Sequence, residues 1–144
     1  MYRDTSQDVC PWNVRFAREL REPAFAPREV LAEKDPRSLA RELLAMSQPE
    51  FSTAFQGSPM KRAKLRGLKR NAAVMIGNAG DPSEIPALTA ALSDDEPLVR
   101  THVAWALGQI GSVTAAGALL SRVAEESDPR VLAAVRSALD RFDV

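Results

Sequence analysis

The chain has 144 residues, 45% of them hydrophobic and 26% charged, with 19 basic and 19 acidic side chains and so no formal net charge. That length matches one ordinary domain, able to bury a core without disulfides or a structural metal, and its single cysteine, Cys10, excludes an intrachain disulfide. No run of about 18 apolar residues is present and Met1-Tyr2-Arg3-Asp4 lacks the apolar core of a secretory signal, so no membrane contact is expected and a reducing, cytoplasmic setting is.

The expected elements are all helical. A first helix covers about residues 14–21, with Trp12 and Phe16 four apart on one face, read as core that docks it onto the rest. Residues 23–27 read as a linker and 28–32 as a turn. Helices follow over Pro36–Ala45, 48–55, 59–78, 83–92, Pro97–Ile110, Val113–Glu125 and 129–141. The prolines mark the starts. Asp35-Pro36, Ser58-Pro59, Asp81-Pro82 and Asp128-Pro129 each put a short polar acceptor before a residue that has no N–H to lose. Ser47-Gln48-Pro49-Glu50 reads as a capping box.

The second half repeats itself. LKRNAAVMIGNAG at 68–80 and VRTHVAWALGQIG at 99–111 align at an offset of 31, pairing Ala73 with Ala104, Ile76 with Leu107, Gly77 with Gly108 and Gly80 with Gly111. Leu88 pairs with Leu119 and Leu92 with Val123, and a third copy starts at Asp128-Pro129-Arg130-Val131. A helix pair of this size cannot bury its apolar face alone, so copies stack into a solenoid, and glycines let the chain turn between the helices of a pair. The pattern resembles HEAT repeats of the form D-x-x-P-x-V-R-x-x-A-x-x-A-L-G, fitted here by Asp94, Pro97, Val99, Arg100, Ala106, Leu107 and Gly108, with Val103 at the first alanine position. The expected fold is therefore an all-α, HEAT-like α-solenoid of stacked antiparallel helix pairs over 58–144. A helical N-terminal extension over 1–57 precedes it.

Other residues resemble a narrower family. Asp8-Val9-Cys10-Pro11-Trp12-Asn13 is similar to the end of a ferredoxin-type cysteine run in epoxyqueuosine reductases, which complete queuosine on tRNA. Glu50-Phe51, Gly57 to Arg62, Arg70-Asn71-Ala72, Gly77-Asn78 and Arg100 to Gly108 continue the likeness in the order of that family's C-terminal region. The resemblance implies cobalamin-dependent epoxide reduction supported by two 4Fe–4S clusters, with the reaction in an N-terminal domain that these residues do not include. It also implies a C-x-x-C-x-x-x-C-P run, of which Cys10 and Pro11 match the end while Arg3 and Ser6 stand at the other two cysteine positions. Arginine cannot supply a thiolate. Cys10 is thus an orphan cluster ligand at most. The chain is expected to hold no cofactor, to catalyse nothing alone, and to need a partner protein for any catalytic half.

The basic residues are unevenly placed. Residues 51–80 hold Lys61, Arg62, Lys64, Arg66, Lys69 and Arg70 and no acid, which leaves a net of −6 on the remainder. On one continuous helix, Arg62, Arg66, Lys69 and Arg70 fall within an arc of about 100°, beside an apolar face of Leu65, Leu68, Ala72, Met75, Ile76 and Ala79. Such a stripe suits a phosphate backbone, and the family likeness points it at a tRNA anticodon stem-loop. The bland alternative is a solvated face. Arg100 and His102 join the candidate interface, although the arginine of a HEAT repeat also ties neighbouring turns together. His102 is the only histidine, so neither a metal site nor a nucleophile pair is supported. Trp105 offers a base to stack on, or packs on the adjacent repeat. Asp94-Asp95-Glu96 read as helix-capping acids. The competing functional reading is a protein-interaction scaffold that uses the solenoid surface and ignores RNA.

Overall fold

The computed structural model describes residues 9–16, 30, 31 and 34–142. The expected linker at 23–27 and the far half of the first expected helix lie outside those residues. The chain divides into two compact units, Met1–Ala32 and Glu33–Val144.

In the first unit, α1 covers Pro11–Phe16. Trp12 and Phe16 stack on each other at 5.3 Å between ring centroids, and both stay exposed. They form a local pair and bury in no core.

The second unit carries α2 (Pro36–Ala45), α3 (Gln48–Ala54), α4 (Lys64–Ala79), α5 (Ile85–Ala91), α6 (Pro97–Ile110), α7 (Val113–Glu125) and α8 (Pro129–Leu139). Short 3-10 turns at Pro59–Ala63 and Pro82–Glu84 lead into α4 and α5, and no strand occurs among the described residues. The caps are where the proline pattern puts them. Asp35, Ser58, Asp81 and Asp128 accept from the backbone N–H of Ser38, Met60, Ser83 and Arg130. Ser47 and Glu50 exchange both bonds of a capping box. Each satisfies donors that a helix start leaves orphaned.

Helices α2, α4, α6 and α8 follow one another in one layer, and α5 and α7 form a second layer against them. Ala73, Ile76, Leu88, Val103, Leu107, Leu119, Val131 and Val135 fill the space between. The two glycine pairs do different work. Gly80 and Gly111 end α4 and α6 in left-handed backbone, at φ 64° and 67°, where a side chain is strained. Gly77 and Gly108 instead permit close helix approach. A Cβ on Gly77 would lie 2.8 Å from the Ala106 Cα, and one on Gly108 would lie 2.8 Å from the Ala138 Cβ.

One expected element breaks. The helix expected over 59–78 is a 3-10 turn joined to α4 at Lys64, whose backbone sits at φ 57° and ψ 158°. No residue of Pro59–Ala63 is buried, so no packing holds that segment in register with α4, although its residues are helix formers. The buried face of α4 is also rotated from the expected one. Ala73 and Gly77 are inside, where α6 packs, while Met75 and Ala79 are exposed.

Candidate nucleic-acid interface

The break at Lys64 separates the expected stripe into two parts. Lys61 and Arg62 project from the 3-10 turn, Lys64 stands at the joint, and Arg66, Lys69 and Arg70 lie on α4. Arg62 therefore does not share a helical arc with the other three. The positive φ of Lys64 is a strained position for a residue with a side chain, costing on the order of 1–3 kcal/mol. Beside it, a hollow of about 430 Å³ is lined by Phe51, Leu65, Lys61, Lys64, Arg66 and Glu96, among others. Buried Phe51 and Phe55 pack together at 5.2 Å and anchor the adjoining helix.

The segment is acid-free in sequence but not in space. The loop before α6 brings Asp94 Oδ2 to 2.7 Å from Lys69 Nζ, and Glu96 to 3.8 Å from Arg66. The Lys69–Asp94 pair is mostly buried, with side chains 13% and 11% exposed, so Lys69 leaves the interface. The offset of 31 explains why: Lys69 is the counterpart of Arg100. The repeat pattern therefore held a signal for this pairing. Asp94 has a second use, since its Oδ1 accepts from the Glu96 N–H at 2.9 Å. Glu96, the residue at the cap position of α6, makes no side-chain cap bond. Asp94 thus holds the turn before α6 and a lysine, Glu96 pairs with Arg66, and the cap position makes no side-chain bond to the helix start.

Arg100 also leaves the interface, because it is buried and fully engaged. Its Nε and Nη2 donate to both carboxylate oxygens of Glu126, at 2.7 and 2.9 Å. Its Nη1 donates to the carbonyls of Asp94 and Asp95, at 2.7 and 3.0 Å. Glu126 further accepts from Arg122 and from the N–H groups of Ser127 and Asp128. The Arg100 hydrogen bonds, ahead of the backbone and Arg122 bonds, hold the Glu126 carboxyl well below the usual carboxylate range despite its burial. This arginine ties the loops on either side of its own helix pair. His102 Nδ1 lies 2.8 Å from the Leu98 carbonyl; a carbonyl only accepts, so Nδ1 carries the proton and Nε2 is left as an acceptor in the neutral ring. Trp105 packs on the adjacent repeat, its Cζ3 against Gly77.

What remains accessible is Lys61, Arg62 and Lys64, with no acid partner among the described residues, together with Arg66, Arg70 and His102. Among the described residues, Arg70 bonds the neighbouring Asn71 amide oxygen, at 2.8–3.0 Å.

No group of three histidine, cysteine or carboxylate side chains that would hold a metal occurs among the described residues. Cys10 is a free, half-buried thiol. It is the one thiol of the whole sequence, whereas a 4Fe–4S cluster takes four thiolates. The donor set of this chain does not fit such a cluster. No helix among the described residues is long and apolar enough to cross a membrane.

A family model for HEAT repeats matches residues 62–140. Epoxyqueuosine reductase from Pseudomonas aeruginosa is 46% identical over 111 residues, and that from Xanthomonas campestris is 41% identical over 109, each match covering 75% of this chain and 29% of the relative. The Bacillus subtilis enzyme is 32% identical over 126 residues, 87% of this chain and 31% of that protein. The likeness is to a C-terminal region of those relatives, and the chain spans under a third of their length. Among solved structures, epoxyqueuosine reductase with an epoxyqueuosine-modified tRNA-Tyr stem loop superposes with a TM-score of 0.77 at 27% identity, over 98% of this chain and 36% of that one. A Bacillus subtilis epoxyqueuosine reductase structure superposes at 0.74, over 97% of this chain and 37% of that one.

Proposed function

The chain belongs to the HEAT-repeat family, and from that premise we propose that it is a tRNA-docking module, similar to the C-terminal part of epoxyqueuosine reductase, that positions an anticodon stem-loop and itself reduces nothing. The observation that carries this reading is the cluster of unpaired cations at the joint before α4. Lys61, Arg62 and Lys64 form no ion pair among the described residues, although Glu96 lines the same hollow as Lys61 and Lys64, while the two cations that share one repeat register, Lys69 and Arg100, are consumed by Asp94 and Glu126. Cations left unpaired beside a hollow attract successive phosphates and release their counterions. Relatives named epoxyqueuosine reductase, one of them solved with a tRNA stem loop, support the choice of RNA. In this reading the module carries no cofactor, and any catalytic half lies in other residues or in another chain.

The test is a titration of a queuosine-type anticodon stem-loop over a range of salt. The wild type is expected to bind with a steep salt slope. Arg62→Glu, Arg66→Glu and Arg70→Glu together should abolish binding at intermediate salt, with the slope falling by about one for each phosphate no longer neutralised and the helical signal unchanged. Affinity and slope untouched by the triple change would remove this surface from the function. Absence of RNA binding even at low salt would favour the protein-interaction scaffold.

A further inference from the structure

A second hollow, of about 390 Å³, lies between α4, α6 and α8 on the other side of Arg70 from the joint, and its lining is mainly apolar. Its origin is a size change between repeats. The buried Val99, Val103 and Ala106 of α6 correspond to the buried Val131, Val135 and Ala138 of α8, an offset of 32. At that offset Ala134 and Ser137 stand where α6 has His102 and Trp105. Two large side chains followed by two small ones leave a groove beside the indole. Trp105 is partly exposed and braced by its contact with Gly77, so it is a wall of fixed position.

The rim is polar and positive. The Thr101 hydroxyl donates to the Pro97 carbonyl at 2.9 Å, which leaves its oxygen free to accept. His102 offers Nε2. Arg141 lines the groove and forms no ion pair among the described residues. No carboxylate of the described residues lines the groove. An aromatic wall, hydrogen-bonding groups and a cation in the lining suit a flat heterocycle on a phosphate backbone better than an apolar peptide. We propose that this groove takes one unpaired nucleobase of the bound RNA, stacked on Trp105, with the adjoining phosphate at Arg141.

The assignment rests on the RNA reading above, and the two are separable by experiment. A hairpin with an unpaired loop and a blunt duplex of the same stem are titrated against wild type, Ala134→Leu and Trp105→Phe across salt. Ala134→Leu fills the groove from α8 and leaves Trp105 seated on Gly77. It should weaken hairpin binding about tenfold or more, abolish the preference for the hairpin, and leave the salt slope unchanged because every phosphate keeps its cation. Trp105→Phe should retain part of the preference. If Ala134→Leu binds both RNAs as the wild type does, or if the wild type shows no preference, the groove assignment falls while the cationic surface stands. If the wild type binds no RNA, both fall.

Discussion

The two full repeats share a frame and differ on its surface. Lys69 and Arg100 occupy one register, as do Gly77 and Gly108, and Gly80 and Gly111. Each cation reaches forward to an acid in the loop that follows its helix pair, Asp94 in one case and Glu126 in the other. The joints are not equal. Lysine makes a single point contact at 2.7 Å, whereas the guanidinium fork of Arg100 bonds a carboxylate through two nitrogens and two carbonyls through the third. One residue further on, the copies diverge: Arg70, Asn71 and Val74 stand opposite Thr101, His102 and Trp105. Positions that hold loops repeat, and positions that face outward carry either charge or an aromatic ring.

The second joint should give the largest effect. Glu126→Ala strands a buried guanidinium and should cost about 3–5 kcal/mol, read as a shift in denaturant midpoint. Glu126→Gln tests its pH dependence. The carboxyl is depressed in the folded state, so its contribution is fully present above its ordinary value of 4.5 and is lost progressively as pH falls below it toward the folded value. The wild type should therefore lose stability in that range, and Glu126→Gln should lose less. A parallel acid profile for the two would show that the joint contributes nothing titratable.

The paired glycines come next. Gly77→Ala should destabilise by about 1–2 kcal/mol, because overpacking against the Ala106 backbone outweighs the helix-propensity gain. Gly108→Ala should cost less, since its nearest contact is the Ala138 side chain and the Cα lies at 3.1 Å. Thermal melts of the two variants rank the helix contacts directly. Lys69→Met is expected to cost about 1 kcal/mol, comparable to Gly108→Ala, while the salt slope for RNA stays unchanged. A fall in that slope would return Lys69 to the interface.

Much of the fold is legible in the residues. Proline after Asp or Ser predicts the helix starts, because capping depends only on neighbours in the chain. The offset of 31 predicts stacked pairs, because the repeat is a spacing. The break at Lys64 is not legible. Lys61, Arg62, Ala63 and Lys64 are acceptable in a helix, and what they lack is a surface to pack on. The partner of Lys69 is half legible: the repeat register makes Lys69 the counterpart of the tying Arg100, but the acid it meets lies 25 residues away.

The all-helical class, the caps, the repeat period and the cations of one acid-free segment are thus written in the chain itself, because all of them follow from local geometry or counting. Which cations remain free, which glycines serve turns and which serve helix contacts, and the groove beside Trp105 are settled by packing. Each of those depends on what a distant residue brings near: Asp94 to Lys69, Ala106 to Gly77, and small Ala134 and Ser137 to the indole.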